Sequence, residues 1–219
     1  DSTEDRDYYD FHIKPLVRSI IYPCIPRSFP YWKVYGICIY RKGIIKKIVE
    51  NFKIQKGKKV KSVQVPDWIK KSKKEIKNGF LRGLFDTDGG LFCQKDYTKY
   101  ANNFNSKYHT KIRLRYITIS YKLSEEVFSI LKNLGYRCVK RKKEMHIKYP
   151  NLNDAYIVEI NELKSIKRFF KEIKPANPKH MTKYLIWKKF GFCPPNTKNI
   201  QRKDILKNRL NPYKLYLQG

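Results

Sequence analysis

Leu81-Arg82-Gly83-Leu84-Phe85-Asp86-Thr87-Asp88-Gly89 is the stretch from which the rest of the chain can be worked out. Ile76, Phe80, Gly83, Leu84 and Thr87 recur at helical intervals, which predicts a helix over 74–87 with one narrow face of apolar or small residues. Gly83 carries no Cβ and lets a second helix approach that face, and Gly89 suits the left-handed turn that commonly ends a helix. Asp88 closes the helix at the end where the macrodipole is already negative, so a bound cation such as Mg²⁺ offsets its charge. Asp86 is expected to be structural, satisfying donors near the helix end. The Asp-x-Asp-Gly pattern also begins a calcium loop, but Gly90 stands where a third oxygen ligand belongs and Tyr97 where the bidentate glutamate belongs, which excludes that reading.

Composition points to a polyanion as partner. The 219 residues hold 49 Lys and Arg against 19 Asp and Glu, a formal net charge of +30. Such a field draws nucleic acid and anionic membrane alike. Membrane is the poorer choice, because no segment approaches the roughly 20 apolar residues that span a bilayer and no signal-peptide pattern opens the chain. With 41% hydrophobic and 15% aromatic residues the chain has ample material for a core. Cys24, Cys38, Cys93, Cys138 and Cys193 are odd in number and never in a Cys-x-x-Cys pair, which argues against zinc and disulfides and for a reduced intracellular setting. His12, His109, His146 and His180 show no paired metal-ligand spacing.

Outward from the motif the periodicities predict strands near 91–94 and over 111–120, a helix over 123–134, strands near 137–141 and 155–160, and a helix over 163–173. Upstream they predict a helix over 5–21, a strand over 31–41 and a helix over 43–52, so the first part repeats the later part of the plan. Residues 1–72 thus form a partial first half, 73–190 a second half, and 191–219 a basic extension. That extension is expected either to contact DNA or to pack loosely on the surface, with a short helix around 204–210.

The motif and this order of elements resemble the LAGLIDADG homing endonucleases. The resemblance implies an α+β fold of two pseudo-symmetric αββαββα-type halves with a saddle-shaped antiparallel sheet, the first half incomplete. In that family two motif helices pack side by side, so Gly83, Thr87 and Asp86 fall in the helix-packing region, and Asp88 with Gly89 falls at a site for Mg²⁺ or Mn²⁺. Lys122 matches a lysine that stands near the metals, although its neighbour is Tyr121 where the family usually has Gln or Asn. Only one motif is present, in the manner of an archaeal or intein-type two-motif member without its first motif. A second chain or an upstream segment is expected to supply the other motif helix.

The resemblance implies site-specific, Mg²⁺-dependent hydrolysis of double-stranded DNA in a cytoplasmic, nucleoid-associated setting. Lys111, Arg113 and Arg115 alternate with Ile112, Leu114 and Tyr116, which puts three cations on one face of a ribbon fit for the major groove. Ile117 and Ile119 break the basic phase and predict a bulge near Tyr116. Lys140 and Lys142, with Lys33 and Arg41 from the first half, are expected to extend the DNA-binding surface. The alternatives are an inactive DNA-binding descendant, favoured by Glu4 at the first-half position matching Lys122, and an RNA-binding maturase.

Overall fold

In the computed structural model, residues 4–54, 61–145 and 153–217 are described. The motif helix, Lys74–Asp88, buries Leu81 and Phe85 one turn apart. It runs into β3 (Gly89–Gln94) with no intervening loop, and Gly89 already pairs with Tyr116 of β4 (Lys111–Thr118). The left-handed turn expected at Gly89 does not occur, since its backbone is extended with φ −88° and ψ −179°. Glycine is needed there for space. A Cβ would stand 2.5 Å from Phe85 Cδ2 and 2.7 Å from the Phe85 carbonyl oxygen, closer than side-chain carbons approach.

The second half then follows as helix Tyr121–Asn133, β5 (Val139–Lys143), β6 (Ala155–Ile160) and helix Leu163–Glu172. The four strands form one antiparallel sheet in the order β3-β4-β6-β5. Leu91, Ile112, Leu114, Tyr116, Val158 and Ile160 point inward against Leu123, Val127, Leu131, Ile166 and Phe169 of the helices, which makes one apolar core. The bulge expected near Tyr116 is absent, because residues 114–118 pair without interruption to 160–156. Ile117 simply stays on the outer face, 45% exposed, so β4 keeps its phase while that face changes from basic to apolar.

The first part repeats the order helix, strand, strand, helix. Arg6–Tyr8, a π-helical stretch Tyr9–Ile13 and Lys14–Ile20 continue one another, and helix Lys42–Phe52 follows a hairpin. The single strand expected over 31–41 is that hairpin, β1 (Arg27–Phe29) and β2 (Val34–Gly36). Between them runs a 3-10 turn at Pro30–Trp32, and Lys33 beyond it is left-handed at φ 52°. Pro30, just before the expected strand, has no amide donor and a fixed φ, which favours a turn there. A five-residue helix, Asn103–Lys107, also interrupts the loop expected between β3 and β4, capped by Asn102.

The C-terminal extension is part of the packed body. Helices Pro178–Phe190 and Asn199–Leu206 enclose Ile186, Cys193 and Ile205, all essentially inaccessible, and Phe192 stacks on Tyr108 at 4.6 Å. Tyr216 Oη lies 3.0 Å from His109 Nδ1 and accepts the His109 backbone N–H at 3.1 Å. The expected short helix over 204–210 lies several residues earlier. The loosely packed alternative is therefore set aside by burial. Among the cysteines, Cys138 and Cys193 are buried, Cys24 and Cys93 half-buried and Cys38 exposed. Among the described residues no helix is long and apolar enough to cross a membrane.

Candidate functional site

The two aspartates of the motif are separated by burial. Asp86 is 1% exposed and its carboxylate accepts the backbone N–H groups of Ala176 (2.9 Å to one oxygen) and Asn177 (3.1 Å). Asn177 Nδ2 returns a bond to the Asp86 carbonyl at 2.9 Å, and the Asn177 side chain also caps helix Pro178–Phe190. Burial raises the Asp86 pKa, with the two amide bonds opposing it. Asp86 thus clasps the turn between two helices and faces no open space that could hold a substrate. Asp88 is exposed. It sits on the rim of an open hollow of about 500 Å³ that also takes in Gln64, Leu84, Ile117 and Ile119.

Lys122 is exposed in the first turn of helix Tyr121–Asn133, whose N-cap Ser120 accepts the Leu123 N–H at 3.2 Å. It lines a neighbouring hollow with Lys53, Lys61 and Gln64. Gln64 therefore lines both hollows, the one with Asp88 and the one with Lys122. The segment carrying it is fixed by Val65 N–H donating to Glu126 Oε2 at 2.6 Å and by Ser120 Oγ donating to the Val63 carbonyl at 2.7 Å. Nothing local in the sequence singled out Gln64, because its position depends on contacts 57 and 61 residues away along the chain.

Gly83 and Thr87 lie on the exposed side of the motif helix. A Cβ at Gly83 or at Gly79, one turn earlier, would meet nothing within 4 Å, and Ile76 on the same side is 44% exposed. This face has room for a second backbone at close range. Thr87 Oγ1 spends its hydrogen bond locally, on the Gly83 carbonyl at 3.0 Å.

The outer face of the sheet carries the basic residues, with a buried acid among them. Register places Arg115, Glu159 and Val139 in one row and Ile117, Ile157 and Arg141 in the next. Glu159 is 3% exposed and accepts from Arg113 at 3.1 Å, from Arg141 at 3.4 Å and, closer still, from Arg115. One carboxylate thereby holds three guanidinium groups apart and fixed, and the cluster keeps a net positive charge. Arg115 also lies over the Phe92 ring at 5.1 Å. Lys111 pairs with Asp96 at 3.4 Å at the end of the same face.

Lys140 and Lys142 do not extend that face. Register aligns them with Val158 and Tyr156, on the side packed by helices. There Lys140 pairs with Glu125 and lies 5.1 Å from the Tyr121 ring, while Lys142 pairs with Asp154 at 2.9 Å. Arg141 and Lys143 occupy the outer positions instead. Residues 140–143 are all basic, so alternation gave no contrast from which to choose the face. Lys33 and Arg41 are exposed on the first-half hairpin and its exit, where Arg41 lies over the Tyr22 ring at 4.5 Å.

The helix leading straight into an antiparallel hairpin, the helix and second hairpin that follow, and an exposed acid at the junction define a LAGLIDADG-type α+β domain. Residues 75–174 match the family model described as a LAGLIDADG-like domain, so that segment is a LAGLIDADG-like domain of this chain. This is a family of homing endonucleases and maturases whose members bind DNA. No curated protein matches the chain.

Proposed function

We propose that this chain is one catalytic half of a metal-dependent DNA endonuclease of the homing type. The observation that carries the reading is Asp88, an exposed carboxylate at the junction of the motif helix and β3, lining a hollow that also takes in Ile117 and Ile119. Duplex DNA lies across the outer face of the sheet, held by Arg113, Arg115, Arg141 and Lys143, and the open Gly79–Gly83 side of the motif helix receives a second motif helix from a partner chain or an upstream segment.

Asp88 and the Gly89 carbonyl would hold Mg²⁺ or Mn²⁺. Among the described residues no group of three or more His, Cys, Asp and Glu side chains forms a metal cage. A single carboxylate is nevertheless compatible with Mg²⁺, which keeps several waters and takes its other ligands from substrate phosphate. Bound there, the cation supplies Lewis-acid activation of water and stabilises charge on the leaving oxygen. Lys122 places an ammonium beside the scissile phosphate, and Gln64 offers an amide to orient the attacking water.

A second reading rests on Glu4. It stands at the first-half position corresponding to Lys122, and it accepts the Asn199 N–H at 2.6 Å and Arg202 Nη2 at 2.7 Å. A carboxylate so engaged replaces the lysine, which favours a descendant that binds DNA and no longer cuts it. Incubation with a randomised duplex library in Mg²⁺, followed by sequencing of new ends, separates the two. Ends recurring at one site and absent with Asp88→Asn are the expected result. No ends above the background of Asp88→Asn would remove the cleavage reading for this chain.

A further inference from the structure

Along β4 the outer face changes chemistry toward Asp88. Arg113 and Arg115 are followed by Ile117 and Ile119, and Ile117 is 45% exposed. Ile117 pairs with Ile157, beyond which lies Arg141, and the next outer row joins Ala155 to Lys143. Together these residues line an open hollow of about 590 Å³ with an apolar floor and cations at its border. Ile117 and Ile119 also line the hollow at Asp88, so the apolar strip is the part of the face nearest that acid.

Alternate residues on a strand are about 6.7 Å apart, close to two base steps of a duplex. The only apolar group on a major-groove base edge is the C5-methyl of thymine. We infer that Ile117 and Ile119, above the floor made by Ile157 and Ala155, read thymine methyl groups, and that the base pairs nearest Asp88 are A·T pairs. The flanking Arg115, Arg141 and Lys143 supply the charge complementarity that seats phosphates on either side. The inference rests on the reading that duplex DNA lies on this face.

The test uses the full chain with duplexes recovered by repeated selection from a random library at moderate salt without divalent metal. Each recovered duplex is then remade with deoxyuridine replacing thymidine, which removes the methyl and keeps the base pairing. A loss of about fourfold in affinity per contacted methyl is expected, from burial of one methyl-sized group. Ile117→Ala should narrow the difference between the two duplexes and Ile117→Ala with Ile119→Ala should abolish it, with circular dichroism and thermal unfolding showing that both variants are folded. Equal binding of both duplexes by the natural chain, with selected sequences still preferred over random competitor, would overturn this inference alone. No preference for any duplex over random competitor would overturn it together with the DNA reading.

Discussion

At the scale of single residues, His180 shows how burial sets chemistry. It is 2% exposed, its ring 4.7 Å from that of Phe85, and its pKa is lowered from 6.5 to about 3, first by burial and then by the charges of Lys179 and Lys183. The folded state therefore binds fewer protons than the unfolded state across that window. Stability contributed by neutral His180 is present above pH 6.5 and is lost as pH falls toward 3, by up to about 1.4 kcal/mol per pH unit. Asp86 acts in the opposite sense, because its raised pKa means the native state gains relative to the unfolded one as pH falls through its folded value. His180→Leu should consequently be distinctly less acid-sensitive than the natural chain in urea unfolding measured at pH 7 and pH 4. Parallel pH profiles for the two proteins would contradict this account. The sequence offered no warning of it, since a lone histidine in a helix reveals neither its burial nor its neighbours.

At the scale of elements, the helix-to-strand junction carries the candidate site. Thr87, Asp88 and Gly89 pass from helix to strand within one peptide unit, so the direction of β3 is fixed relative to the motif helix, and Asp88 is held where both meet. Gly89→Ala forces a methyl group into Phe85 side-chain and backbone atoms at 2.5 to 2.8 Å. Overpacking of that kind costs about 2 kcal/mol, read as a lower urea midpoint. In the same protein Phe85→Leu should restore part of the loss, because the side-chain part of the clash is with the ring. The glycine itself was legible in the motif, but its reason was not, since a helix-ending glycine is ordinarily explained by positive φ and this one by close approach.

At the scale of the whole molecule, the two ends of the chain hold one another. Arg202 is 1% exposed and donates to Thr182 Oγ1 at 2.9 Å and to Glu4 at 2.7 Å, while Lys203 pairs with Asp7. Removing one partner of a buried pair leaves the other charge uncompensated and costs about 3 kcal/mol or more. Arg202→Met should lower the unfolding midpoint accordingly, and Glu4→Gln in the same chain should recover part of the loss because no carboxylate charge is left without its cation. Additive losses in the double variant would show that the two residues do not act as a pair. The extension after Gly191 was set apart in the sequence by its Pro-Pro break and basic composition. Its burial came from aromatic packing by Tyr108, Phe192, Tyr213 and Tyr216, residues far apart in sequence.

The amino-acid sequence by itself determined the motif helix, the exposed acid at its end, the two faces of β4 and the attraction to polyanions, because each rests on local spacing or on a sum of charges. Tertiary structure alone decided that Arg141 and Lys143, not Lys140 and Lys142, share the face of Arg115. It also decided that Glu159 holds three arginines, that Gln64 lines the hollows of both Asp88 and Lys122, and that the last segment belongs to the core. Periodicity assigns a face only where polar and apolar residues alternate. In a run of four basic residues the phase is supplied by hydrogen-bond register with β6, which no local pattern encodes.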